Sequence, residues 1–297
     1  MNFSAFENVV CNLDPLYDES KVFEHTYLKN IIAQLQNQLG TKFFDFEFEI
    51  VFFDLKNHYR RVSPSKKRVV IVIGELADCL EFDDSLIFKT YYQHSRAPSR
   101  NVFPFPLGYN GKLDWPEEIN QSEKQISVFF SGNLHKGREN MYDFFSGLRF
   151  LPFPMKVRLQ NFLGRTFDHW YDGGYIRFTN GFATGLSPSQ YLQKIVNAKI
   201  ALCPPGSVKM ETFRHYEALR AGCLVVSEQL PETPFFKNSP IIQTDSWPEA
   251  HGRIEHLLEN LEEYSDLASK SLQWWEEVLS ERAVAKYLSR IILEFYS

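Results

Sequence analysis

The chain has 297 residues, 44% of them hydrophobic, 23% charged and 15% aromatic, a composition that excludes a disordered or low-complexity protein and a length that favours two domains over one. Its formal charge of -5 excludes a global basic field, so no nucleic-acid partner is expected. The four cysteines, Cys11, Cys79, Cys203 and Cys223, are scattered without a C-x-x-C pair, which excludes a zinc ribbon or a disulfide scaffold and fits a reducing cytoplasm.

In chain order, Met1 to Glu7 carries neither the basic stretch nor the apolar core of a secretory leader, and no run approaches ~20 consecutive apolar residues. The expectation is a cytoplasmic protein with at most peripheral contact at the inner membrane face. Leu28, Ile31, Ile32, Leu35 and Leu39 recur at helical spacing from Tyr27, and Gly40 is placed to end that helix. The period then drops to two. Phe44, Phe46, Phe48 and Ile50 alternate with Asp45, Glu47 and Glu49, as in a half-buried strand. A basic run, Arg60, Arg61, Lys66, Lys67 and Arg68, reads as a solvated loop or as a contact for an anionic acceptor or membrane surface. Val69 to Ile73 reads as a buried parallel strand ending at Gly74, and Phe88 to Gln93 as another strand. From Pro104 to Gln121 the composition shifts to Pro, Gly and charge, as in an exposed linker, which puts an N-terminal domain at residues 1–115 and a C-terminal one at 121–297.

The second half opens on a compact apolar strand, Ile126 to Phe130, followed by Ser131-Gly132-Asn133-Leu134-His135-Lys136-Gly137-Arg138 as a glycine turn into a helix. Strands at Tyr175 to Phe178, Ile200 to Cys203, Leu224 to Ser227 and Ile241-Ile242 alternate with helices at Pro188 to Asn197, capped by Ser187, and at Thr212 to Ala221, closed by Gly222. From Trp247 the chain is mostly helical. Such alternation is that of a parallel α/β sheet.

The most specific segment runs Glu211-Thr212-Phe213-Arg214-His215-Tyr216-Glu217-Ala218-Leu219-Arg220-Ala221-Gly222-Cys223-Leu224-Val225-Val226, after the Pro204-Pro205-Gly206-Ser207 turn. Its first residues fall at a helix N-terminus beyond the carboxyl edge of a sheet, where backbone N–H groups favour pyrophosphate. Arg214 can fork onto phosphate oxygens, and Glu217 can accept both hydroxyls of a ribose.

This segment resembles the donor-binding region of GT-B glycosyltransferases, most closely the exostosin-like families, whose pattern is a Ser or Glu, an Arg, then Glu-Ala-Leu, a small residue, Gly and Cys before a strand. The match is good over Lys199 to Val226, extends from Gln125 to Trp247, and fades before that. It implies an α/β protein of two Rossmann-like domains facing a cleft, with C-terminal helices crossing back to the N-terminal domain. A nucleotide-sugar donor would sit on the C-terminal domain, with no metal or other cofactor. By the same resemblance Gly132, Asn133, Lys136 and Arg138 join Glu211, Thr212, Arg214 and Glu217 at the donor, and Lys136 or Arg138 supplies the charge that replaces a metal. The eight histidines are dispersed, and the absence of Asp-x-Asp disfavours the metal-dependent GT-A class.

An inverting transfer needs a general base from the other domain. Glu75, at the end of the strand closed by Gly74, is the first candidate, with Asp78 and His94 behind it. The expected reaction moves a sugar to a hydroxyl of a saccharide or lipid-linked saccharide acceptor. A nucleotide-sugar epimerase on the same fold and a non-catalytic glycan- or nucleotide-binding module are the alternatives.

Overall fold

A computed structural model describes residues 3–12, 23–52, 67–74, 85–92, 100–116, 119, 124–181, 184–207 and 209–297. The strands are β1 (Val9–Asn12), β2 (Phe46–Phe52), β3 (Lys67–Ile73), β4 (Leu86–Lys89), β5 (Val102–Pro104), β6 (Ile126–Asn133), β7 (Tyr175–Thr179), β8 (Ala198–Cys203), β9 (Leu224–Glu228) and β10 (Ile242–Thr244). The α-helices are α1 (His25–Leu39), α2 (Glu139–Ser146), α3 (Phe153–Leu163), α4 (Pro188–Val196), α5 (Phe213–Arg220), α6 (Trp247–Glu259), α7 (Leu261–Trp274) and α8 (Glu281–Tyr296). The chain divides into two units, one of Met1–Gly111, Glu232–Lys237 and Glu277–Ser297, the other of Lys112–Pro231 and Asn238–Glu276.

In the first unit β1 to β5 lie side by side in chain order, every pairing parallel. Helix α1 turns inward the stripe its sequence announces, and Leu28, Ile31, Ile32 and Leu35 are fully buried. Each contributes about 1.5–3 kcal/mol by leaving water. Helix α8 packs against α1, burying Val284, Ala285, Leu288, Ile291 and Ile292. Polar contacts fix its place, because the Tyr27 hydroxyl donates to the Leu279 carbonyl at 2.5 Å and the Tyr287 hydroxyl to the Pro104 carbonyl at 3.2 Å. The second unit therefore stops at Glu276, short of the Ser297 end expected from sequence.

Two further expectations need correction here. Strand β2 is buried on both faces, not one: Glu49 is only 2% exposed and pairs with Arg68 of β3, which neutralises it inside a sheet that parallel pairing covers on both sides. Phe44 lies outside the strand, in a 3-10 turn over Gly40–Asp45, and is exposed. The stretch after Pro104 is not an exposed linker at its start, since Phe105, Leu107 and Tyr109 are buried.

In the second unit the sheet order is β10-β9-β8-β6-β7, again parallel throughout. Val128 and Phe130 of β6, Ile176 and Phe178 of β7, Ile200 and Leu202 of β8, and Leu224 and Val226 of β9 form its core with Met141, Tyr142, Trp247 and Ile254 from the helices. The Ser187 hydroxyl caps α4 by accepting from the Gln190 N–H at 3.3 Å, and Gly222, at φ +66°, ends α5 in the left-handed conformation that glycine adopts without strain. Among the described residues no helix is long and apolar enough to cross a membrane.

Candidate functional site

Strand order reverses at β6, which has β7 on one side and β8 on the other. In a parallel α/β sheet the crevice outside the carboxyl ends at such a reversal is where ligands bind, because the loops leaving the two strands diverge there. Here those loops are the Leu134 to Arg138 segment after β6 and the Pro204-Pro205-Gly206 turn after β8. They touch, since a Cβ on Gly137 would stand 2.8 Å from the Gly206 carbonyl oxygen.

Gly132, read from sequence as a turn residue, belongs instead to the strand. Ser131, Gly132 and Asn133 still pair with Arg177, Phe178 and Thr179, so β6 runs to the edge of the sheet. The missing side chain admits two guanidiniums: a Cβ at Gly132 would lie 2.7 Å from Arg138 Nη1 and 2.8 Å from Arg214 Nη2. Arg138 Nε donates to the Pro205 carbonyl at 3.0 Å and its Nη1 to the Asn133 carbonyl at 2.9 Å, while Arg214 Nη2 donates to the Ser131 carbonyl at 2.5 Å. Both cations sit over the Phe130 ring, their Cζ atoms 5.7 and 5.0 Å from its centroid.

Neither arginine takes part in any of the ion pairs among the described residues. Arg138 is 7% exposed, and burial together with the Arg214 charge pushes its guanidinium down to about 9. Arg214 Nε is buried without a hydrogen-bond partner. Beside them, burial and then the two arginines push His135 down to about 4, so its ring is neutral near pH 7, and its Nδ1 is likewise buried and unpartnered. Two adjacent cations that hold carbonyls, and that no carboxylate pairs with among the described residues, form a site that an anion would stabilise. Cys203 also lies here, but burial raises its thiol far above neutrality and leaves it inert.

Helix α5 is held in place by its own first turn. The Thr212 N–H donates to His215 Nδ1 at 3.1 Å, which leaves the ring proton on Nε2, 2.9 Å from the Ser227 hydroxyl; that hydroxyl donates on to the Glu228 carbonyl at 2.8 Å. Burial holds His215 down at about 3, so the relay is neutral. Glu211 and Glu217 are both turned inward, 5% and 4% exposed. Glu211 accepts from the Tyr216 hydroxyl, and Glu217 Oε2 from the Tyr191 hydroxyl at 2.7 Å.

Of the residues singled out by sequence, Gly132, Asn133, Arg138 and Arg214 come together, with Thr212 capping the helix that carries Arg214. The Asn133 side chain is engaged, its Oδ1 accepting from the Thr179 hydroxyl at 2.9 Å. Lys136 points elsewhere: its side chain is 76% exposed and pairs with Glu139. Glu75, Asp78 and His94 lie outside the described residues, as do Arg60, Arg61 and Lys66. His135 and Tyr191 were not anticipated as members of the site. His135 stood inside the motif, but nothing in its sequence context shows that two arginines would close on it. Among the described residues no group of three or more His, Cys, Asp and Glu side chains gathers as metal ligands would.

No protein-family model matches the sequence, and no curated protein matches it either. Among solved structures the chain is similar to the crystal structure of TarM, with a TM-score of 0.49 and 10% identity, over 88% of this chain and 58% of that one. The chain thus spans little more than half the length of that neighbour.

Proposed function

We propose that the chain is a glycosyltransferase of GT-B type that takes its sugar from a nucleotide-activated donor held on the second unit. The observation that carries this reading is the un-neutralised pair Arg138 and Arg214 meeting at Gly132, at the reversal of strand order. A diphosphate there supplies the anionic oxygens both guanidiniums lack, and Arg214 Nε gains the acceptor it is missing. The Tyr191 hydroxyl orients the Glu217 carboxylate, which is assigned to the ribose.

In the transfer, an acceptor hydroxyl on a saccharide or lipid-linked saccharide attacks the anomeric carbon. The bond from that carbon to the diphosphate oxygen breaks, and its electron pair leaves with the phosphate. Charge grows on the oxygen beside the arginines, so their field stabilises the transition state more than the ground state. In this role they take the place of a metal. The acceptor proton passes to a general base, for which Glu75 remains the sequence candidate, with inversion at the anomeric carbon.

The test is a thermal-shift screen of UDP, GDP, CMP and TDP, with and without EDTA, on the wild type and on Arg214→Gln. A nucleotide at about 100 times its dissociation constant should add about 2.7 kcal/mol of stability. One nucleoside diphosphate is expected to raise the melting temperature of the wild type regardless of EDTA and to stabilise the variant by about half as much or less. If none does, or if the variant responds equally, the donor site is refuted. Transfer to a saccharide, assayed with the matching nucleotide sugar, then separates a transferase from an epimerase or a binding module.

A further inference from the structure

Helix α3 turns polar side chains inward and carries an apolar side outward. Its buried positions are Lys156 and Gln160, 1% and 3% exposed, whereas Met155, Phe162 and Leu163 are 51%, 87% and 52% exposed. Phe150, in the turn just before it, is 78% exposed. The inward polar groups are fully engaged: Lys156 Nζ pairs with Glu139 at 2.7 Å and Asp143 at 2.5 Å, and the Gln160 amide donates to the carbonyls of Arg165 and Phe178 at 2.9 and 3.1 Å. The helix is therefore docked through these polar groups together with Phe153 and Val157, which pack on the core, and a second apolar side of Met155, Phe162 and Leu163 is left uncovered. Met155, Arg158 and Phe162 stand at i, i+3 and i+7, on one side of the helix, and Leu163 adjoins them. Arg149 beside Phe150 and Arg158 within the stripe are both exposed, and neither enters any ion pair among the described residues.

We propose that this outer face of α3, with Phe150, docks on an anionic lipid bilayer. Phe150, Met155, Phe162 and Leu163 enter the boundary between headgroups and acyl chains, and Arg149 and Arg158 meet the lipid phosphates. Exposed rings framed by guanidiniums that enter no ion pair among the described residues fit a fluid, negatively charged surface. A second copy of the chain fits it poorly, because pairing this face with itself would gather the Arg149 and Arg158 charges of both copies in one interface. The proposal does not depend on the donor site, since it concerns a different face and is tested without nucleotide.

The experiment is cosedimentation of the full chain with vesicles of phosphatidylcholine and phosphatidylglycerol in equal parts, and with vesicles of phosphatidylcholine alone. The variants are F150S/F162S and R149Q/R158Q; all four positions are exposed, so an unchanged melting temperature is expected of both. The wild type should bind the anionic vesicles and leave the neutral ones. F150S/F162S should bind at least about tenfold more weakly, and R149Q/R158Q about fivefold more weakly for each charge removed, with a shallower salt dependence. The proposal is overturned if the wild type ignores anionic vesicles, if it binds neutral ones equally, or if F150S/F162S binds like the wild type. It is equally overturned if the face proves to hold two copies together, seen as a concentration-dependent dimer that F150S/F162S dissociates.

Discussion

Arg138 and Arg214 converge on one position of β6: a side-chain carbon added at Gly132 would meet Nη1 of the first at 2.7 Å and Nη2 of the second at 2.8 Å. Both atoms are ends of flexible side chains, and the third neighbour, Phe130 Cζ at 3.3 Å, need give only slightly, so Gly132→Ala should keep the fold at a small cost in melting temperature while displacing the guanidiniums. Nucleoside diphosphate binding, measured by calorimetric titration, is expected to weaken at least about tenfold, the loss of roughly one charged hydrogen bond. Affinity equal to that of the wild type would remove the pair from the site.

Arg214→Gln separates binding from stability. Hydrogen bonds to charged groups contribute about 1.5–3 kcal/mol, so affinity for the diphosphate should fall about ten- to a hundredfold. The free protein should melt no lower than the wild type, because the lost bond to Ser131 is offset by relief of the repulsion on Arg138. A fall in both quantities together would mark Arg214 as structural.

Glu217→Gln bears on the sugar of the nucleotide. If Glu217 accepts from ribose hydroxyls, the wild type should bind the ribonucleotide more tightly than its 2'-deoxy counterpart, and the variant should bind both alike. The readout is the ratio of the two dissociation constants. A variant that keeps the wild-type ratio would place the carboxylate away from the ribose.

Acid should destabilise the second unit through His215. Its folded value of about 3 lies below the 6.5 of the unfolded chain, so the histidine favours the folded state fully above pH 6.5. As pH falls from 6.5 towards 3 the unfolded state takes up a proton that the folded state does not, at a cost of up to about 1.4 kcal/mol per pH unit. His135, held near 4, acts in the same direction over a narrower window. Urea denaturation at stepped pH should show this slope, and His215→Gln should flatten it.

Lys156→Met removes the cation from between Glu139 and Asp143, with which it makes contacts of 2.7 and 2.5 Å. Breaking a buried pair from one side strands Asp143 and leaves Glu139 only its exposed partner Lys136, so a loss of about 3 kcal/mol is expected in chemical denaturation. Replacing all three side chains by apolar ones should recover most of it.

Local signals in the sequence were reliable where a single residue carries the geometry. Ser187 marks the start of α4 and Gly222 the end of α5 because a cap and a left-handed turn depend on their own atoms. Strand β1 was missed: four residues, Val-Val-Cys-Asn, carry too little pattern to stand out before their partner β2 is known. Helix α3 was missed for a different reason, since apolar residues lie on both of its sides, Phe153 and Val157 inward and Met155, Phe162 and Leu163 outward, so no single stripe stands out. Arg138 and Arg214 could be named from their motifs, but their meeting could not. They are brought together by the order of strands β6 and β8, a property of pairing across the sheet that no spacing along the chain encodes.

The contact between α1 and α8 sets an order of events during synthesis. Helix α1 leaves the ribosome ahead of the whole second unit, yet the helix layer of the first unit is completed by α8, which follows it. Until then the apolar side of α1 lacks the covering that Val284, Leu288 and Ile292 provide. The nascent first unit must therefore wait, partly uncovered, while the second unit is translated, and a ribosome that stops inside the second unit leaves its damage in the first.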